Sequence, residues 1–437
     1  MKEQRNALLR PLLSFRNDVY NGKLIAGESY TLVDENGKNY IDLISGLWNV
    51  PFGYNNLKIN KEIKEQLEKL PFINTIHDCA SIQVEYADRL RAYIGKDASR
   101  IFLTCSGSES IEFAIKVARK YQVLKCRVKK SNILIFDQSY HGTTYAAMSA
   151  SGMDSGEMFS YEPIVAGFVR LETPLTAAFH NGETEDEYRN RITKGLRNIF
   201  EAEGNSIAAI LIEPVIASGG IFEIPGWYVE EMKKLCKQYD VLMIADEVAT
   251  GFMRTGKKFG YMRIGVNPDI ICLSKSIVNG YMPFGAVVIG KMVADVYTMK
   301  NEFVEHFTTQ NGNLIAPAAA KAVIDLLEDC SIQTNIRDLI QCLEEYNFTK
   351  LLNNPYVREV RKVGLMIGID LTKPDGKPIS SKFLMEIIQK IRENELLVYE
   401  YYMENHIAGI SLFPPYIMKR SILEKALKKI EKCLLYL

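Results

Sequence analysis

Asp246 and Lys275 stand 29 positions apart, each at the end of an apolar run: Asp246 after Val241-Leu242-Met243-Ile244-Ala245, Lys275 shortly after Ile270-Ile271-Cys272-Leu273. A lysine amine at a strand end forms a Schiff base with an aldehyde, and a carboxylate nearby keeps a pyridine nitrogen protonated. Those are the two demands of pyridoxal 5'-phosphate. Taken singly, each residue has a plainer reading, Asp246 as the cap of a turn and Lys275 as a surface lysine, so the decision falls to the residues around them.

The elements that must position this pair are legible as β-rich apolar runs at 132–136, 207–212, 241–245, 269–273 and 285–289. Helical patterns separate them, among them 228–238, where Val229, Met232, Leu235 and Cys236 recur at helical spacing. The alternation predicts an α/β fold with a buried, mostly parallel sheet and covering helices. In such sheets ligands bind outside the carboxyl ends of the strands, where Asp246 and Lys275 fall. Further along, a strand near 364–369, a helix near 381–393, strands near 396–400 and 408–412 and a helix over 419–436 predict a smaller α+β domain. The charge-rich stretch 180–206 reads as a surface excursion with a helix from Tyr188 to Ala202, and no internal repeat is visible.

Other segments carry weaker signals of the same chemistry. Thr104-Cys105-Ser106-Gly107-Ser108-Glu109 is a small-residue turn that opens onto a helix with Ile111, Ala114, Ile115, Ala118 and Tyr121 on one face. Free amides at a helix start, with serine hydroxyls beside them, cradle a phosphate; a Ser106-x-x-Glu109 capping box explains the same residues without a ligand. Tyr140-His141-Gly142 presents an aromatic ring just past a strand, where it could stack on a planar cofactor or simply pack in a loop. Glu213-Pro214 and Val248 likewise follow strands and could surround a ring or belong to the core.

Composition narrows the partners. The chain has 437 residues, 47% of them hydrophobic, enough for two subdomains with ample core. Lys plus Arg and Asp plus Glu are both 53, so no global field draws nucleic acid or an anionic membrane. Eight cysteines without a Cys-x-x-Cys read as reduced thiols, and five histidines without ligand spacing give no case for a metal. The segment Met1 to Phe15 is too broken for a secretory signal and too short for a membrane span, which predicts a cytoplasmic protein.

In order, Ser106-Gly107-Ser108-Glu109, Tyr140-His141-Gly142, Glu213-Pro214, the run Asp246-Glu247-Val248-Ala249-Thr250-Gly251-Phe252-Met253-Arg254-Thr255-Gly256, Ser274-Lys275 and Pro414-Pro415 resemble the class III pyridoxal-phosphate-dependent aminotransferases of fold type I. The likeness spans nearly the whole chain and is greatest to members acting on ω-amino acids, amines or diaminopelargonate precursors. It implies a segment 1–58 that joins the small domain and contributes to the site, a large cofactor-binding domain over 59–327, and a C-terminal small α+β domain over 328–437. It implies that Lys275 carries the Schiff base, Asp246 holds the pyridine nitrogen, Val248 and Tyr140 flank the ring, and Gly107 and Ser108 bind the phosphate. Ser106, His141, Gly142 and Glu213 complete the cofactor set. Thr309, in His306-Phe307-Thr308-Thr309, would reach the phosphate of the neighbouring subunit, implying a homodimer with shared sites.

The expected activity is a ping-pong transfer of an amino group from a small amine or ω-amino acid to a 2-oxo acid or aldehyde. A racemase or epimerase, a decarboxylase or an aminomutase would need the same cofactor residues. A non-catalytic regulator on this fold would show a lost lysine or an added DNA-binding domain; Lys275 is present, and no such domain is expected ahead of the first segment. Three positions depart from or refine the pattern. Trp48 either lines the substrate pocket or is a core tryptophan. Glu404 falls where many relatives place a carboxylate-binding arginine, which favours a cationic donor, and a register shift of two residues would bring His406 there instead. Met253 replaces a usual glycine.

Overall fold

A computed structural model describes residue 11 and residues 23–153, 158–180, 182–404 and 406–435. The reading of Met1 to Phe15 lies outside the described residues except at Pro11. The central element is a seven-stranded sheet of β1 (Ala98–Thr104), β2 (Asn132–Phe136), β3 (Phe168–Leu171), β4 (Ile207–Ile212), β5 (Leu242–Asp246), β6 (Ile270–Leu273) and β7 (Gly285–Gly290), in spatial order β1-β7-β6-β5-β4-β2-β3. Only β7 runs against the others, pairing antiparallel with both β6 and β1. β4 and β5 are buried at every residue, as strands covered on both faces must be, and this is why their sequences are continuous apolar runs.

Parallel pairing accounts for the meeting of distant residues. Asp246 is the last residue of β5 and its register partner is Cys272 on β6, so Lys275, three residues on, emerges at the same end of the sheet. On the other side Ala245 pairs with Ile212 of β4, which places Glu213 alongside Asp246. Tyr140 and His141 follow β2 in the same direction.

The helix Gly107–Leu124 covers one face with Ile111, Ala114, Ile115, Ala118 and Tyr121 buried, the stripe expected from the spacing, together with Phe113 and Val117. Glu185–Glu203 and Gly226–Tyr239 pack on the core of the other face. A second sheet joins Val357–Val363, Met366–Leu371, Ile407–Leu412 and Tyr399–Met403 in that order, all antiparallel, with the helices Ser381–Glu393 and Arg420–Leu435 nearby. A third sheet ties chain ends together: Leu24–Glu28, Thr31–Asp34 and Asn39–Asp42 are completed by Leu396–Leu397. Met253, with φ 74°, and its neighbour Phe252, with φ 57°, hold left-handed backbone, the physical reason glycine is the unstrained choice at position 253. No helix among the described residues is long and apolar enough to cross a membrane.

Candidate active site

One cavity at the carboxyl end of the sheet is lined by Ser106, Gly107, Ser108, Tyr140, His141, Gly142, Glu213, Ser218, Asp246, Val248, Ala249, Ser274 and Lys275. Ten of the residues singled out from sequence therefore converge on a single space. Ser218, Ala249 and Ser274 were given no role in the site from sequence. Two of them adjoin named residues, and Ser218 lies in the small-residue loop Ala217-Ser218-Gly219-Gly220 just past Glu213, a glycine-rich turn that is the only signal they offered.

Asp246 is held on both oxygens. His141 Nδ1 lies 2.7 Å from Oδ2, and because a carboxylate only accepts, that nitrogen carries the proton. Oδ1 accepts from the Val248 amide at 3.0 Å. His141 is itself fixed by its amide, which donates to Ser151 Oγ at 2.8 Å, and its buried Nε2 has no partner among the described residues. Glu213 accepts from the Tyr140 amide at 2.9 Å and from the Ala217 amide at 3.2 Å. Burial pushes its carboxyl up to about 7, with His141 opposing and Asp246 reinforcing the rise.

Lys275 follows β6 in a left-handed conformation, φ 46°, which costs a non-glycine residue on the order of 1 kcal/mol and persists only where the surroundings dictate it. Its Nζ has no hydrogen-bond acceptor among the described residues and sits 4.3 Å from the centre of the Trp48 ring. Burial lowers its pKa to about 8, against the pull of Asp246 and Glu213 toward the charged form.

The turn at 106–109 caps its helix without closing the reciprocal capping box. Ser106 Oγ accepts from the Glu109 amide at 3.1 Å, a true N-cap, while the Glu109 carboxylate turns back to the Cys105 amide at 2.8 Å instead of to Ser106. The Gly107 and Ser108 amides, in the first helical turn, have no carbonyl one turn back, and both residues line the cavity. A Cβ on Gly107 would lie 3.0 Å from Val248, so glycine keeps the helix start against the ring-binding wall. Gly142, with φ 121°, touches Ser108 so closely that any side chain would collide with its hydroxyl. The donor set suits pyridoxal phosphate: orphan amides for the phosphate, a fixed carboxylate for the pyridine nitrogen, and an unbonded amine for the aldehyde.

Trp48, Thr309 and Glu404 lie apart from that lining. Trp48 is 3% exposed and stacked on Phe413, a core position, and its ring centre lies 4.3 Å from Lys275 Nζ. Thr309 is exposed at the start of the short turn Thr309–Gly312, which Asn311 pins to β1 by donating to Leu103 O at 2.7 Å. Glu404 is exposed in the turn between Tyr399–Met403 and Ile407–Leu412. His406, on the same turn, lies 2.6 Å from Gln138 Nε2, and burial lowers its pKa. No metal-ligating group of three acidic, histidine or cysteine residues occurs among the described residues.

A family model for Aminotransferase class-III matches residues 23–434. The chain belongs to the class-III aminotransferases. It is thus a pyridoxal-phosphate-dependent transaminase of fold type I. It is 32% identical over 383 residues to the adenosylmethionine-8-amino-7-oxononanoate aminotransferase of Staphylococcus aureus, covering 85% of this chain and 84% of that one. It is 30% identical to the probable gamma-aminobutyrate transaminase 4 of Oryza sativa subsp. japonica, covering 84% and 78%. Among solved structures, an (S)-enantioselective omega-transaminase from Thermomicrobium roseum is similar with a TM-score of 0.88 and 29% identity over 98% of this chain and 95% of that one. The PMP-bound aminotransferase of Vibrio fluvialis gives a TM-score of 0.87 at 26% identity, covering 94% and 92%.

Proposed function

We propose that this aminotransferase takes its amino group from a small amine or ω-amino acid and delivers it to a 2-oxo acid or aldehyde, donor and acceptor using one cavity in turn. The observation that carries the reading is the unbonded Nζ of Lys275 facing the same cavity as the doubly held Asp246. Bound through a Schiff base to Lys275, pyridoxal phosphate supplies an electron sink at the donor carbon and stores the amino group between half-reactions.

The protein groups do the rest. Asp246, kept oriented by His141 and the Val248 amide, holds the ring nitrogen protonated. The Gly107 and Ser108 amides take the phosphate, with Ser106 capping the helix and Gly142 letting the 140–143 loop close on Ser108. Tyr140 and Val248 flank the ring, and Glu213 fixes the Tyr140 backbone. With pyridoxal phosphate bound, Lys275 Nζ would be the group that carries the proton from the donor carbon. It must be neutral to do so, and a pKa lowered to about 8 leaves a useful neutral fraction at slightly alkaline pH. Trp48 bounds the space beside Nζ, and Glu404 on its hairpin tip biases the approach of cationic donors.

Thr309 is assigned to the phosphate site of a second copy, in a cytoplasmic homodimer with shared sites. Support comes from its exposure and from Phe303 and Phe307, which are 69% and 58% exposed in the segment just before that turn and call for a covering surface. The deciding experiment is a donor panel of simple primary amines, gamma-aminobutyrate and adenosylmethionine, scored by loss of visible cofactor absorption without acceptor. Loss with a primary amine or ω-amino acid, restored by a 2-oxo acid, is expected. Donor racemisation with the absorption intact would replace this reading with a racemase.

A further inference from the structure

Lys275 stands at the end of a column of side chains. Its Nζ is 4.3 Å from the Trp48 ring centre. Trp48 stacks on Phe413 at 4.4 Å with 16° between the planes, and beyond Phe413 the Arg254 guanidinium carbon lies 5.7 Å from that ring. The turn that presents Trp48 is strained, with φ 50° at Ser45 and 66° at Trp48. Left-handed backbone at two non-glycine residues in four requires outside bonds to hold it.

Some of those bonds come from Asp42, which accepts from the Ile44 amide at 2.9 Å and the Gly46 amide at 2.7 Å. Others converge on Arg254. Ser45 Oγ donates to Phe413 O at 2.6 Å, Arg254 Nη2 reaches Ser45 Oγ at 3.4 Å, and Nη1 donates to Pro414 O at 2.8 Å. One side chain thus touches both the turn that carries Trp48 and the peptide after Phe413.

Arg254 is also an expensive way to fill space. It is wholly buried, its Nε has no acceptor, and no carboxylate lies within ion-pair distance among the described residues. Its electrostatic cover is the Tyr416 ring at 4.7 Å and, beyond ion-pair distance, the buried Asp42 carboxylate. Arg361, equally enclosed, has Glu359 at 2.7 Å and Asp370 at 3.7 Å. A buried charge without a directly paired counter-charge is a poor stabilising device, because an apolar side chain of similar size would do at least as well. Its forked geometry, spanning Ser45 and Pro414 together, is what an apolar residue or a lysine lacks.

We propose that Arg254 is a positioning residue for transamination: by clamping Ser45 and Pro414 it sets the Trp48–Phe413 stack and, through it, the place from which Lys275 Nζ acts. The inference rests on the reading of Lys275 given above. The charged groups facing Nζ are Asp246 and Glu213, both favouring the ammonium, and the Trp48 face does the same, while exclusion of water works against it. Loosening the column admits water, so the amine loses its proton at higher pH.

Arg254→Lys and Ser45→Ala are made in a Trp227→Phe background, where Trp48 is the sole tryptophan of the chain's two. In the holoenzyme each is expected to make Trp48 fluorescence about twofold more quenchable by acrylamide. Each should also lower kcat about tenfold with little change in KM, the size a small misplacement of a reacting group produces. The acidic limb of the kcat–pH profile should move up by about half a unit or more. A folded variant with lower thermal stability but an unmoved limb and unmoved kcat makes Arg254 structural only and overturns the proposal. If Arg254→Lys does not fold, Ser45→Ala decides alone by the same criteria. Lys275→Ala is the control: visible absorption that survives it refutes the reading of Lys275, whereas absorption lost there with unchanged Arg254 and Ser45 variants refutes this proposal alone.

Discussion

Lys130 and Lys275 are two enclosed lysines with opposite surroundings. Lys130 donates to three backbone carbonyls, Gly204 O at 2.9 Å, Ile207 O at 3.1 Å and Tyr239 O at 2.6 Å, and so ties β4 to the helices on either side of it. Lys275 donates to none among the described residues and rests on an aromatic face beside two carboxyls. Burial lowers the pKa of both, but only one ammonium has every proton engaged. An amine with three acceptors is a rivet; one with none is free to change its bonding, which chemistry requires.

The sharpest way to break that contrast is to remove each amine. Lys275→Ala is expected to abolish visible cofactor absorption and reduce turnover by about 10⁴-fold or more while the protein stays folded, because nothing else in the cavity can replace a nucleophilic amine. Lys130→Met should leave absorption and kcat intact but cost about 2–4 kcal/mol in denaturant unfolding, since three buried carbonyls lose their donor. A kinetic phenotype for Lys130→Met would erase the distinction.

Next in size, Asp246→Asn should weaken cofactor retention and lower kcat by about 10²- to 10³-fold, because a neutral amide cannot balance a protonated ring nitrogen. Near-wild-type turnover would remove Asp246 from its role. A smaller effect concerns pH. The folded-state pKa of Lys275, about 8, lies below the 10.5 of a free lysine, so the fold disfavours its ammonium. Cofactor-free Lys275→Met should therefore be more stable than cofactor-free wild type below pH 8, and that advantage should shrink as pH rises from about 8 to 10.5. Thermal melts across that window check the sign. The smallest expected effect is from Glu404→Arg, since an exposed hairpin charge acts through screened solvent: relative kcat/KM for carboxylated over uncharged donors should change by less than about threefold. A change of tenfold or more would place Glu404 inside the site.

Much of the site was readable because parallel strands turn a one-dimensional pattern into a place. Continuous apolar runs mark β4, β5 and β6, and residues just past such runs must meet at one end of the sheet. β1 was harder, since Ala98-Ser99-Arg100 begins it without an apolar signal, and Val357–Val363 carries Arg358, Glu359, Arg361 and Lys362. There tertiary pairing overrides a charged sequence. At Ser106 two local readings coexisted: the hydroxyl caps the helix, and Ser106, Gly107 and Ser108 also line the cavity.

Sequence by itself determined the chemistry available at Asp246, Lys275 and the 106–109 turn, and the family they belong to, because strand periodicity and motif order are local properties. Tertiary structure alone decided that Trp48 lies against Lys275, that Arg254 is buried behind it without a directly paired carboxylate, and that Glu404 sits on an exposed turn. Those outcomes depend on which surfaces of segments some 200 to 370 residues apart are pressed together, as in the bond from Ser45 to Phe413 O, and no local pattern of residue types encodes that contact.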